Sequence, residues 1–132
     1  MRNNTLEIIR DSVSERLYRL SKIVRILVKR GKLDEAKKLV LSQIVKYPDS
    51  AEPHNLLGII EEYRNNHILA MKHFRAACDL DPTYAPARLN IEVFGDFDNM
   101  KKPVYNEDDI EVKPQKLYKM VYNKKGIGRF IK

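Results

Sequence analysis

A period of 34 residues constrains this chain more than any other feature. Residues 51–82, AEPHNLLGIIEEYRNNHILAMKHFRAACDLDP, place Leu57-Gly58 in a first apolar stretch. Ala70, Phe74 and Ala77 follow at spacings of four and three in a second, and Pro82 closes the unit. Moving back by one period finds Ile23 for Leu57, Ala36 for Ala70, Val40 for Phe74 and Pro48 for Pro82. Self-similarity at such a period signals stacked copies of one supersecondary unit. Spacings of three and four put the apolar residues of each half on one helical face. The chain is therefore predicted to be all-α, made of antiparallel helical hairpins, with Gly58 and Ala70 small because helices approach closely only where side chains permit it.

In chain order, Leu6, Ile9 and Val13 share a face and predict an N-terminal helix. Ser12 and Glu15 stand at a capping-box spacing, so a fresh start near Val13 is the alternative to one continuous helix. Leu20, Ile23, Val24, Ile26, Leu27 and Val28 nearly encircle the next helix and predict burial on more than one side. Gly31 supplies the left-handed residue that lets it stop. Leu33, Ala36, Leu39, Val40 and Ile44 line the returning helix, which closes at Tyr47-Pro48. The second hairpin repeats this plan: Leu56, Leu57, Ile60 and Tyr63 lead, Asn65-Asn66 take the turn, and Ile68, Ala70, Met71, Phe74, Ala77 and Leu80 return. A last helix over 85–94 ends at Gly95. Its Leu89, Ile91, Val93 and Phe94 make it a cap more apolar than a terminal element usually is, so the tail or another molecule is expected to cover it.

The residues 20–50 and 54–84, compared in register, resemble the tetratricopeptide repeat family, in which small residues mark the helix crossing and proline ends each repeat. The second repeat matches closely. In the first, Val24 stands for the glycine and Gln43 for the later alanine. The resemblance covers roughly residues 17–94 and implies a short right-handed superhelix: an N-terminal helical cap over 1–16, repeats 17–50 and 51–84, a capping helix 85–94, and a C-terminal extension 95–132 outside the pattern. It also implies a concave groove lined by the first helix of each repeat. Carried over residue by residue, the partner-binding positions are Tyr18, Ser21, Arg25 and Val28, then Glu52, Asn55, Ile59 and Glu62, then Leu89, Asn90 and Val93. Chaperone-binding members grip a C-terminal carboxylate with lysines, asparagines and an arginine. Here Ser21, Arg25, Leu56, Pro86 and Asn90 hold those positions, which argues against that ligand and for a peptide or helix with apolar anchors.

The extension abandons the helical period. Lys101-Lys102-Pro103 and Lys113-Pro114 are breakers, and Asn106-Glu107-Asp108-Asp109 is an acidic, turn-like run. LYKMVY and IGRFI flank Asn123-Lys124-Lys125-Gly126 as a hairpin would. A hairpin this short must pack on the repeats or await a partner.

The formal charge of +7 is uneven, with the basic excess in residues 1–50 and in the tail. Lys113, Lys116, Lys119, Lys124, Lys125 and Arg129 lie among Leu117, Tyr118, Met120, Tyr122 and Phe130. Together with Arg16, Arg19, Lys22, Arg25, Lys29 and Arg30 they offer a second function, binding nucleic acid or an anionic membrane. Self-association through Leu89, Val93 and Phe94 is a third.

No catalytic constellation, cofactor motif or small-molecule site is expected. His54, His67 and His73 do not fall at metal-ligand spacing with one another or with Cys78. Gly126-Ile127-Gly128 lacks the strand-to-helix context of a phosphate loop. The lone Cys78 excludes an intramolecular disulfide and is expected to be structural. No apolar run approaches the roughly 20 residues of a membrane helix, and the N-terminus lacks the apolar core of a signal peptide. The expectation is a non-catalytic, cytoplasmic interaction module or scaffold.

Overall fold

The computed structural model describes residues 4–95 and 102–110, with side chains from residue 12 onward. The hairpin expected around Lys124 and the basic positions Lys113, Lys116, Lys119, Lys124, Lys125 and Arg129 lie outside the described residues. Within them the protein is all-helical: α1 (Asn4–Lys29), α2 (Leu33–Lys46), α3 (Ala51–Tyr63), α4 (His67–Leu80) and α5 (Ala85–Gly95), then a 3-10 turn at Glu107–Asp109. Consecutive helices pack on one another, and α1 and α5 both touch α3. The central helix is thus flanked on either side by the odd-numbered helices.

The 34-residue period is written into the backbone as well as the side chains. At the first turn, Gly31 N–H donates to the Val28 carbonyl and Lys32 N–H to the Leu27 carbonyl. At the second, Asn65 N–H donates to Glu62 and Asn66 N–H to Glu61, the same pair of bonds one period later. This paired arrangement satisfies carbonyls that a helix end leaves free, and it needs a left-handed residue. Gly31 supplies it with φ +74° and Asn65 with φ 67°. The links into the next unit recur too, as Ser50 N–H to Tyr47 and Tyr84 N–H to Asp81.

Packing follows the same register. Ala36 and Ala70 are both fully buried, as are Val40 and Phe74. A Cβ on Gly58 would lie 2.3 Å from the Phe74 ring, so this glycine exists to admit that ring. One repeat earlier, the equivalent positions hold Val24 and Val40: as the large residue shrinks, the small one grows. Phe74 also stacks on Phe94 at 5.9 Å, and Ile91 packs against the same cluster. The apolar residues of α5 are therefore used within the chain: Phe94 and Ile91 are partly buried on the core, and Leu89 and Val93 are half-buried.

Of the two readings of the N-terminal segment the structure has the continuous one, α1 running without a break past Ser12 and Glu15. Its apolar residues do not bury all round: Leu17, Leu20, Val24 and Val28 face the core, whereas Ile23 and Ile26 are about half exposed, at 47% and 50%. Only the stripe at spacings of three and four meets α2 and α3. On α4, Ile68 points outward for the same reason, at 75% exposure. Cys78 is half-buried beside the small cluster of Ala51, Ala77, Tyr84 and Ala87, and burial pushes its thiol up.

A buried carboxylate ties the two hairpins. Glu61 is fully buried; Lys37 Nζ of α2 lies 2.8 Å from its Oε2, the Asn66 amide donates to its Oε1 at 2.8 Å, and Arg64 Nε stands at 3.5 Å. Arg64 also reaches Asp34 of α2 at 2.6 Å. Burial opposes the charge of Glu61 most strongly, yet Asn66, Lys37 and Arg64 together outweigh it and hold the carboxyl below its ordinary value.

Two predictions follow from this packing. Gly58→Ala drives a methyl into Phe74 and should cost about 2 kcal/mol in urea unfolding. Combined with Phe74→Val the two losses should not add, whereas additive losses would contradict the contact. For Glu61, a lowered native pKa means stability present above the ordinary value of 4.5 and lost as the pH falls through the native one. Glu61→Gln should therefore be less stable than the parent near neutral pH, and the difference should shrink on acidification. A difference that does not change with pH would contradict the ion pair.

Candidate functional site

The face shared by α1, α3 and α5 is where the groove residues were expected, and it is filled by the chain itself. Residues 103–106 cross it outside any helix, Asn106 in an extended conformation, and lead into the 3-10 turn at 107–109. Val104, Tyr105 and Asn106 are buried there. Val104 meets α5 and α3, the side chains of Asn106, Asp108 and Asp109 reach α1, and the closing turn also packs on α5.

Two asparagines grip one residue of backbone. Asn90 of α5 accepts from Val104 N–H at 2.8 Å and donates to the Val104 carbonyl at 2.8 Å. Asn55 of α3 donates to the same carbonyl at 3.0 Å, and its own oxygen accepts from Asn90 at 2.7 Å. Both side chains are fully buried. Their amides satisfy one another and the backbone together, the condition under which burying polar groups does not cost several kcal/mol.

Farther along, α1 reads side chains. Asn106 donates to Ser21 Oγ at 2.8 Å, and Ser21 donates on to the Tyr18 carbonyl. The Asn106 oxygen accepts from Asp108 N–H and so caps the 3-10 turn. Tyr18 O–H donates to Asp108 at 2.6 Å, and this bond, together with the Asp108 charge, raises the phenol above its ordinary value. Arg25 Nη2 lies 2.8 and 2.7 Å from the two oxygens of Asp109, and its guanidinium sits over the Tyr105 ring at 4.7 Å. Tyr105 N–H also donates to Asp109. Burial raises the Tyr105 hydroxyl first, with neighbouring charges secondary.

Of the groove positions carried over from the repeat pattern, Tyr18, Ser21, Arg25, Asn55 and Asn90 converge on the segment. Ser21 and Asn55 stand one period apart and both hold it. Burial, and after it the charges of Asp81 and Glu107, raises the Glu52 carboxyl above its ordinary value. Ile59 and Val28 are core residues. Glu62 turns to His67 Nδ1 at 2.6 Å, and Leu89 and Val93 are half-buried on α5. Sequence reasoning did not identify the occupant. The acidic run 106–109 was visible, but nothing local in it points to Arg25, 84 positions away.

Elsewhere, His54 and His73 approach with ring centroids 6.3 Å apart, each held below its ordinary pKa by burial. Among the described residues no group of three or more side chains suits a metal ion, and no helix is long and apolar enough to cross a membrane. Compared with protein-family models, curated proteins and solved structures, the chain matches none.

The Arg25–Asp109 contact is partly buried and should couple on the order of 1 kcal/mol in a double-mutant cycle of Arg25→Ala and Asp109→Ala measured by thermal unfolding. A coupling indistinguishable from zero would contradict it.

Proposed function

We propose that the protein is a non-catalytic, cytoplasmic interaction module of tetratricopeptide type, two repeats and a capping helix, whose α1/α3/α5 groove binds an extended segment of polypeptide. The recurrence of side-chain pattern and turn hydrogen bonds at 34 residues supports the repeat reading. The observation that carries the function is the grip of Asn55 and Asn90 on the backbone of Val104. Amides that pair with main-chain N–H and C=O bind extended chain of many sequences, while neighbouring side chains select among them. The polar groups of the groove are engaged in holding a chain, with Tyr18, Ser21 and Arg25 each paired to the segment or its turn. That arrangement suits binding better than turnover.

The test is selection from a random peptide library displayed against the folded chain carrying Asn106→Ala and Asp109→Ala, which loosen its own segment. The reading predicts enriched peptides whose binding drops about tenfold when Arg25→Ala is added. A folded bait that enriches nothing contradicts it.

A further inference from the structure

Resting on that peptide-binding reading, we propose that the groove's partner is an acidic extended segment of another protein, patterned like residues 104–109, that competes with the chain's own copy. The pattern is an apolar residue, an aromatic residue, asparagine, an unselected exposed position and two acids.

Each position has its reason on the face it meets. The first is fixed through its backbone by Asn55 and Asn90, which sets the register, and its side chain is buried, which favours an apolar residue. The second lies under the Arg25 guanidinium, a contact that favours an aromatic ring. The third offers an amide hydrogen to Ser21 and an oxygen to the following turn, which asparagine does in one side chain. The last two meet a donor each, Tyr18 and Arg25. The fourth differs. Glu107 is exposed, so the position is left to solvent and its side chain is not selected.

Recognition, more than permanent closure, is what these contacts resemble. The segment contributes only Tyr105 to the main apolar cluster. The rest of its attachment is hydrogen bonds and one ion pair, with Asp108 exposed and Asp109 partly buried. Attachment of this polar kind is exchanged for an equivalent set when a matching chain arrives, since every buried amide of the groove finds the same partners again. Only residues 96–102 separate α5 from the docked segment, so the local copy competes at an effective concentration that a free partner must exceed. The intact chain should accordingly bind such a partner weakly, and tightly once its own segment is loosened.

The probe is a fluorescein-labelled synthetic peptide of residues 102–110 followed by anisotropy, with circular dichroism confirming that every protein used is folded. The full chain with Asn106→Ala and Asp109→Ala should bind it at least about tenfold more tightly than the parent. Adding Arg25→Ala should weaken binding about tenfold, and a peptide with glutamine in place of the exposed Glu107 should bind as the parent peptide does. If the double variant unfolds, the unmodified chain with excess peptide provides the second measurement: amide exchange at 104–106 should change as labelled and native segments trade places, and no peptide-dependent change overturns the proposal. Equal binding of a peptide with asparagine in place of both Asp108 and Asp109 overturns the acidic assignment. A loosened, folded chain that selects non-acidic peptides also overturns it while leaving the peptide-binding reading intact. One that binds no peptide of any class removes both. Concentration-dependent dimers that exchange the segment between copies overturn it in favour of a second copy as the occupant.

Discussion

The buried amide pair Asn55 and Asn90 is the constraint around which the rest of the described structure is arranged. Two fully buried side-chain amides inside a helical core are costly unless each N–H and C=O finds a partner. Here the missing partners are the N–H and C=O of Val104, a residue beyond the last helix. Helices α3 and α5 thus present a requirement that extended chain satisfies and a further helix, whose backbone bonds are internal, would not. Once Val104 is placed, Asn106, Asp108 and Asp109 fall within reach of Ser21, Tyr18 and Arg25 on α1. The segment then spans all three odd-numbered helices and fastens the first to the last.

The scaffold beneath this face depends on repetition of a local solution. Each hairpin turns by the same pair of backbone bonds about a left-handed residue, glycine in one case and asparagine in the other. Each brings a fully buried alanine to the crossing. The differences between the repeats are compensated in pairs, Val24 with Val40 against Gly58 with Phe74. One apolar cluster runs through both hairpins, and a polar contact is added at their join, with Lys37, Arg64 and Asn66 gathered on the buried Glu61. An isolated carboxylate there would be strongly unfavourable. Surrounded by donors it fixes how α2 and α3 meet.

How far the sequence could be read depended on whether the signal was periodic. The helices, both turns and the crossing residues were legible because their chemistry recurs at spacings of three, four and 34. Where periodicity was pressed too far, as with Ile23, Ile26 and Ile68, apolar character was mistaken for burial; only tertiary packing decides which side of a helix is covered. Five groove residues were legible through the repeat pattern, and Asn90 fell in place although its equivalents, Leu56 and Lys22, are unlike it. The occupant was not legible. Residues 103–109 carry no period, and their partners lie on three helices distant in sequence, so no local pattern encodes the pairing. A basic α1 and an acidic run near the other end of the chain were the available hints, and charge alone does not fix register.

The central claim is that Val104 is held by Asn55 and Asn90. Amide hydrogen exchange resolved at single residues measures it directly. The account predicts that the Val104 N–H exchanges far more slowly than in an unstructured peptide, yet faster than amides of the surrounding helices because the segment is released locally, and that Asp109→Ala, by loosening the far end of the segment, speeds it. Exchange of Val104 at the rate of an unstructured peptide in the parent protein would contradict the account, because the groove would then hold nothing.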